Sequence, residues 1–380
     1  MKHFIIPILL STTLITSSAI CANPINSKIH SKGAVLIEGE SKRVLYEKNA
    51  YESLPMASTT KIMTCIVALE AGGLDDVVTV SQRASRAPKV KLYLAVSEKQ
   101  KLGDLLYSLM LESHNDTAVA IAEHVGGTVE NFCDMMTAKA KEIGATKTSF
   151  KTPNGLDADG HYTSAYDLAL IGAYALQNPE FVKIVTTTNK TIPTEKLEGS
   201  KAHSLQNKNR FLYSYQGANG MKTGFTSKAG HCFAGSASRG GMQLIGVALA
   251  AGWGAPGKNQ KYSDVITLMN YGFNNYKKHE LIIPAKNYDR ILVKKGVQDT
   301  LPLEVREKVT LPLSKEEEQK ITIKRNVPTS IEAPVKKGTT MGTVEILCDG
   351  NTLASVSLTA QEDIRKATLI DYIKKWLKIK

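Results

Sequence analysis

The sequence predicts an α+β protein: a helical cluster beside a sheet, then a small all-β sandwich domain, then a terminal amphipathic helix. Three observations carry this. Ile62, Met63, Ile66, Val67 and Leu69 cover nearly the whole circumference of one stretch, which marks a buried helix. Residues 229–237 and 243–250 are apolar runs fit for strands, the second for a central one. After about Pro284 the pattern changes to short β-like runs at 290–293, 320–324, 342–347 and 353–358, separated by turns such as Asp349-Gly350-Asn351.

Taken in order, the chain opens with Lys2 and His3, a mostly apolar stretch over 4–15, and the small-residue region Ala19-Ile20-Cys21-Ala22. This reads as a secretory signal cleaved after Ala22. The apolar stretch is shorter than the ~20 residues of a spanning helix. An uncleaved anchor is the alternative, and the bulk of Ile20 argues against a lipoprotein site at Cys21. Residues 33–46 alternate as strands, with Gly39-Glu40-Ser41 as the turn. A helix opens at Ser58, and Gly72-Gly73 ends it. Further helices are expected over 102–111, 117–125, 131–143 and 166–176, with 113–116 as the break between the first two, and a closing helix over 266–276. The expected division is a signal over 1–22, the main domain over 23–283, the all-β domain over 284–358 and the amphipathic helix over 359–380.

In that tail, Leu369, Ile370, Ile373, Trp376 and Leu377 share one helical face, and Arg365, Lys366, Lys374, Lys375 and Lys378 gather mostly on the other. A basic amphipathic helix with Trp suits a membrane interface. Each basic residue near an anionic surface adds ~1 kcal/mol. The alternative is a terminal helix docked on its own domain.

The 380 residues suffice for two domains, and 42% hydrophobic content allows a proper core. The net charge of +12 comes without a zinc finger, an RNA-binding aromatic pattern or a concentrated basic arm, so no nucleic-acid partner is expected. An exported basic chain meets anionic lipid and wall polymer first. Cys65, Cys133, Cys232 and Cys348 are widely spaced in apolar contexts, which reads as buried free thiols rather than a disulfide framework. The eight histidines have no metal-ligand spacing, so neither metal nor cofactor is expected.

The chemistry rests on three short motifs in one order: Ser58-Thr59-Thr60-Lys61, Ser113-His114-Asn115 and Lys222-Thr223-Gly224. Each is weak alone; together they match the S-x-x-K, S-x-N and K-T-G set of serine acyl-transferases that react with penicillin. Lys61 lies one helical turn after Ser58, so its amine stands beside the hydroxyl. A serine needs a base to take its proton, and a buried lysine near other cations loses charge readily. In this reading Ser113 and Asn115 sit on a loop, Ser113 relaying a proton to the leaving amine and Asn115 donating to the substrate amide. Lys222 stays charged, keeps Lys61 neutral and helps fix Ser113. Thr223 binds the terminal carboxylate, and Gly224 lets the substrate lie against a following edge strand. The N–H groups of Ser58 and Phe225 form the oxyanion hole.

On these residues the chain resembles the low-molecular-mass penicillin-binding proteins of the D-alanyl-D-alanine carboxypeptidase family. The segments at Met56–Thr64, Pro153-Asn154-Gly155-Leu156, His161-Tyr162-Thr163-Ser164-Ala165 and Gly220–Thr226 recur there in similar form. The resemblance covers nearly the whole chain. It implies a penicillin-recognising transpeptidase/β-lactamase-like domain, a membrane-proximal β domain and a C-terminal anchor. It also implies an exported, extracytoplasmic (periplasmic) enzyme on the outer face of the cytoplasmic membrane. Its partners would be peptidoglycan stem peptides, with β-lactams as inhibitors. Two positions depart from the pattern. His114 stands where the family usually has Gly. Lys261 is the nearest candidate for an Arg that helps hold the substrate carboxylate, ahead of Tyr271-Gly272-Phe273. A D,D-endopeptidase, a β-lactamase on the same framework and a non-catalytic wall-binding protein remain open. For the β-lactamase, Glu142 and Glu180 lie between the second and third motifs but outside an E-x-x-L-N context.

Overall fold

The computed structural model describes residues 25–193 and 202–377. The signal expected over 1–22, with Cys21, and Lys378 of the basic tail lie outside the described residues.

The first domain is built on a five-stranded antiparallel sheet. Its strands are β1 (Gly33–Glu38), β2 (Val44–Lys48), β3 (Ala218–Thr226), β4 (Gly230–Arg239) and β5 (Met242–Leu249). The spatial order is β2-β1-β5-β4-β3, so the earliest and latest strands of the domain meet at the centre, with Gly33 opposite Leu249. All six residues of β1 are buried, which explains its apolar run. Val35 and Ile37 enter the core under the helices, whereas Ala34 and Leu36 enter the core on the other face. A strand covered on both sides shows no polar alternation.

The helices over the first face are α1 (Lys61–Ala71), α2 (Leu102–Leu111), α3 (Asn115–Gly126), α4 (Val129–Ile143) and α5 (Ala165–Ala175). Every residue of α1 from Lys61 to Ala68 is buried, as its all-round apolarity requires. Thr128 and Ser164 cap α4 and α5 by accepting from Asn131 N and Asp167 N. The opposite face is covered by α6 (Gly254–Asn275), through Val265, Leu268 and Met269. It starts well before residue 266, because its first turns are polar and carry no apolar periodicity.

The second domain holds its own core, including Leu301, Leu303, Val309, Leu311, Val344, Ile346 and Leu358. These positions alternate along their strands with residues turned outward, the period-2 signature of a one-sided sheet. A six-stranded sheet and the pair Tyr276–Ile282 with Val309–Ser314 enclose that core. One helical turn, Lys315–Glu318, interrupts the β structure; Ser314 and Glu317 form a reciprocal cap there. Arg43 of the first domain donates to Pro312 O and pairs with Glu317 of the second.

The terminal helix spans Leu369–Trp376, starting after Thr368, which caps it with Asp371. It is shorter than the expected 359–380 segment, because residues up to Ala360 belong to a strand and Ile364 is buried against Val335. Leu369 is 77% exposed and Trp376 83%, so the apolar face is not the one docked on the protein. The polar side is tethered instead, Lys375 Nζ donating to Gly296 O at 3.1 Å. Among the described residues, no helix is long and apolar enough to cross a membrane. Cys65, Cys133 and Cys232 are buried free thiols, but Cys348 is only half-buried, because it sits at the strand end beside the exposed Asp349-Gly350 turn.

Candidate active site

Ser58 lies in a 3-10 turn, Ala57–Thr60, that leads into α1. It therefore precedes the α-helix rather than opening it. The turn is held from inside: Thr59 Oγ1 donates to Met56 O at 2.6 Å and Thr60 Oγ1 to Ala57 O at 2.8 Å. His161 supports Thr60. Its Nδ1 accepts from Lys151 N at 3.0 Å, so Nε2 carries the proton toward Thr60 Oγ1 at 2.9 Å. Burial pushes the His161 imidazole down to about 4, which keeps it neutral. Ala57 itself has φ +49°, a strained conformation for a residue with a side chain. The close-packed neighbour is Gly155, with φ +84°, where a Cβ would fall 2.1 Å from Ala57 O.

Lys61 is fully buried, and its Nζ stands 3.0 Å from Ser58 Oγ. It donates to Asn115 Oδ1 at 2.8 Å and to Asn154 O at 2.6 Å. Burial, and then the positive charge of Lys222, hold the Lys61 ammonium well below the usual lysine range, against a smaller opposing pull from Asp116. The first motif and Asn115 of the second thus meet at one amine. Asn115 is the first residue of α3 rather than a loop residue. Its Nδ2 donates to Pro88 O at 3.2 Å and Lys89 O at 3.1 Å. Ser113 lies in the turn before it with φ +72°. His114 has φ −65° and ψ 132°, extended backbone that any residue adopts, so a histidine fits at this position. Its ring is buried between Ser108 and Glu112. Nδ1 lies 2.8 Å from Ser108 Oγ and Nε2 lies 3.5 Å from Glu112, and burial pushes it down to about 4.

The third motif lies within β3, the edge strand of the sheet, not ahead of it. Gly220, Lys222 and Gly224 dilute the apolar alternation that marks a strand. Lys222 is 3% exposed and donates to Thr223 O at 3.0 Å. Burial, then Lys261, bring it down to about 7. Gly224 lies against the nucleophile turn: a Cβ there would fall 2.7 Å from Ser58 N and 3.0 Å from Ala57 Cβ. Gly224→Ala is therefore expected to shift that turn and slow acylation by penicillin about 10²-fold or more, the scale of a lost oxyanion donor; stopped-flow fluorescence checks it. Phe225, half-exposed, packs against the His231 ring in a tilted pair with centroids 4.4 Å apart.

Lys261 projects from α6 into a cleft of about 600 Å³ that Thr223, Arg210, Lys258 and Tyr262 also line. It is 6% exposed. Burial is the main cause lowering it to about 8; Arg210 and Lys258 add to this, and Cys232 opposes. The sequence reading did not give Asn154 a role, because its contact runs through a backbone carbonyl. It also missed Asp116, whose carboxylate accepts from Leu92 N, Tyr93 N and Leu94 N at 2.8–3.2 Å. An acidic residue in a first helical turn reads locally as a cap, and nothing in the sequence names its distant partners.

A serine beside a charge-depleted lysine, against a glycine-bearing edge strand with two further buried lysines, defines an active-site serine acyl-transferase of the penicillin-recognising fold. The chain belongs to the D-alanyl-D-alanine carboxypeptidase family. The model of that family matches residues 19–252, and the penicillin-binding protein 5 C-terminal domain matches residues 276–366. Its relatives include D-alanyl-D-alanine carboxypeptidase DacF of Bacillus subtilis, 34% identical over 361 residues (92% of this chain, 91% of the relative). DacC of Escherichia coli is 31% identical over 353 residues (89% and 85%). The structure is similar to penicillin-binding protein 5 from Haemophilus influenzae, with a TM-score of 0.77 at 28% identity, covering 89% of this chain and 98% of that one.

Proposed function

We propose that this serine-type D-alanyl-D-alanine carboxypeptidase removes the terminal D-alanine of peptidoglycan pentapeptides through an acyl-enzyme on Ser58. A neutral Lys61 has two N–H groups and one lone pair. In the structure Lys61 Nζ donates to Asn154 O, Asn115 Oδ1 and Ser58 Oγ at 2.6, 2.8 and 3.0 Å, so loss of the proton on the longest of the three turns the lone pair to the Ser58 hydroxyl. That arrangement is the observation that carries the reading. Ser58 Oγ attacks the D-Ala-D-Ala carbonyl while its proton passes to Lys61. The oxyanion lies between the N–H groups of Ser58 and Phe225. Ser113 relays the proton to the leaving amine and the C–N bond breaks. Water then attacks the ester, giving its proton to Lys61, which passes it to Ser58 Oγ as the ester C–O bond breaks and the shortened peptide leaves. Asn115 binds the substrate amide by exchanging one of its loop carbonyls for the substrate carbonyl. Lys222, Thr223 and Lys261 hold the terminal carboxylate. A β-lactam acylates the same serine and keeps its amine tethered, so release is slow.

The pH dependence follows from these charges. Lys61 acts as a base only when neutral, which sets the acid limb. Lys222 and Lys261 hold a carboxylate only when protonated, and they lose protons as pH rises through about 7 and about 8. For peptide substrates kcat/KM is expected to fall above about pH 7, with a slope nearing two protons beyond pH 8. Lys261→Arg keeps its charge and should reduce that slope to one; an unchanged slope would exclude Lys261 from carboxylate binding.

Fast β-lactam turnover finds little support. Glu142 pairs with Lys139 at 2.8 Å and Glu180 with Lys183 at 3.0 Å, both toward solvent, so neither positions water at Ser58. D,D-endopeptidase action is a second reading, favoured by the room beyond Thr223 for a leaving group larger than alanine. Release of D-alanine from a pentapeptide by purified protein tests the main reading and excludes the non-catalytic one.

The reading also includes export and attachment to the outer face of the cytoplasmic membrane. It is supported by the exposed Leu369, Ile370, Ile373 and Trp376 on a helix whose last turn carries Lys374 and Lys375. Deleting 369–380 is expected to release the protein from anionic vesicles in a sedimentation assay. Equal sedimentation of both forms would remove the anchor.

A further inference from the structure

Ser113 has a left-handed backbone, φ +72°, which a residue with a side chain keeps only where its surroundings enforce it. The residues on either side of it meet across that turn. Glu112 Oε2 lies 3.5 Å from His114 Nε2, and both side chains are largely shielded from water. A lone pair at Nε2 would repel the carboxylate. The neutral ring therefore carries its proton there, and Nδ1 accepts from Ser108 Oγ at 2.8 Å. Ser108 Oγ lies 2.9 Å from Thr117 Oγ1, so His114 is fixed to α2 and α3 at once. Glu112 is fixed on its other side. Its Oε1 accepts from Gln206 N at 2.9 Å and pairs with Lys208 Nζ at 3.2 Å, while Leu111 O accepts from Lys208 N at 2.9 Å. Gln206 and Lys208 line the Lys261 cleft. One continuous set of contacts thus runs from the corner between α2 and α3, across the Ser113 turn, to the wall of that cleft.

Resting on the carboxypeptidase reading and the role it gives Ser113, we infer that His114 and Glu112 are positioning residues that clamp Ser113 in line with the leaving amine. They act through Ser113, not on the substrate. The Lys261 cleft receives the D-alanine that departs, and the amine of that residue is the group to which Ser113 relays a proton. A clamp joining the Ser113 turn to the cleft wall sets the donor against the leaving group, and a misplacement of about 1 Å in such a group costs about 10²-fold in rate. The glycine usual at position 114 in the family has no side chain for this contact, so the clamp belongs to this chain.

The test compares two substrates with the same acyl group: an amide ending in D-Ala-D-Ala, and a thioester whose thiol also carries a carboxylate. An amine leaves only with a proton, whereas a thiolate leaves without one. Hydrolysis is measured for the full chain and for His114→Ala, His114→Gln and Glu112→Ala. The two Ala variants are each expected to lose about tenfold or more in kcat/KM on the amide, part of the 10²–10⁴ that a positioned proton donor supplies, and to stay within about twofold on the thioester. His114→Gln sets an N–H near the place of Nε2 and should recover most of the loss. Combining His114→Ala with Glu112→Ala should cost no more than either alone, since both break one contact. Should His114→Ala not fold, Glu112→Ala, at a half-buried position, carries the same comparison. Equal losses on amide and thioester, no loss on either, or a His114→Gln variant no better than His114→Ala would each overturn the clamp. A wild type that hydrolyses neither substrate would instead overturn the reaction on which it rests.

Discussion

Ser58→Ala is expected to abolish D-alanine release, by about 10⁵-fold or more, while leaving the fold intact. The magnitude follows from the loss of the covalent step: groups that act as one unit in a nucleophilic site each cost nearly the whole rate enhancement. The fold should tolerate the change because Ser58 is half-exposed and the turn around it is held by Thr59, Thr60 and Gly155 rather than by the serine. Its hydroxyl contacts, with Lys61 Nζ and Asn154 O, belong to the reaction centre. Circular dichroism should match the wild type, and a colorimetric D-alanine assay should read the blank. Substantial residual release from this variant would mean that another nucleophile does the work.

Lys222→Met is expected to reduce activity about as severely and yet to raise the melting temperature of the first domain. Lys222 is buried and has no carboxylate partner among the described residues; its ammonium meets a backbone carbonyl and the field of Lys261. A buried ion carries a desolvation penalty of several kcal/mol, so replacing this lone charge with an apolar residue of similar length is expected to be stabilising. That penalty corresponds to several degrees in a domain of this size. The sign with pH is fixed. The folded-state value, about 7, lies below the ordinary 10.5, so between them the unfolded chain binds more protons and wild-type stability rises with pH. The advantage of Met should thus be largest below about pH 7 and fade toward pH 10. Scanning calorimetry of both proteins at pH 6 and pH 9.5 checks this, and a variant less stable at pH 6 would show that Lys222 is structural. The site is thus built at a cost in stability, as strained and charged sites commonly are.

Much of this was legible from residue order. The buried α1 could be read because eight consecutive residues face neighbours on every side, and the second domain because short β-like runs such as 342–347 and 353–358 recur between turns. The three motifs could be read because acyl transfer requires those residue types. What stayed hidden depends on tertiary contact. β3 was obscured since the glycines that let it approach Ser58 erase its strand pattern. Asn154 works through its carbonyl, which every residue possesses. The left-handed conformation in the second motif falls on Ser113, not on position 114, and side-chain identity at 114 gives no hint of this. The start of α6 was missed because its polar first turns are where Lys258 and Lys261 reach into the cleft.

The most direct measurement is peptide mapping by mass spectrometry after reaction with a penicillin. A single adduct on the peptide containing Ser58, lost on pre-incubation with a D-Ala-D-Ala substrate, is the predicted result. An adduct on any other residue, or D-alanine release from a protein that forms no adduct at all, would contradict a shared acyl-enzyme at this serine.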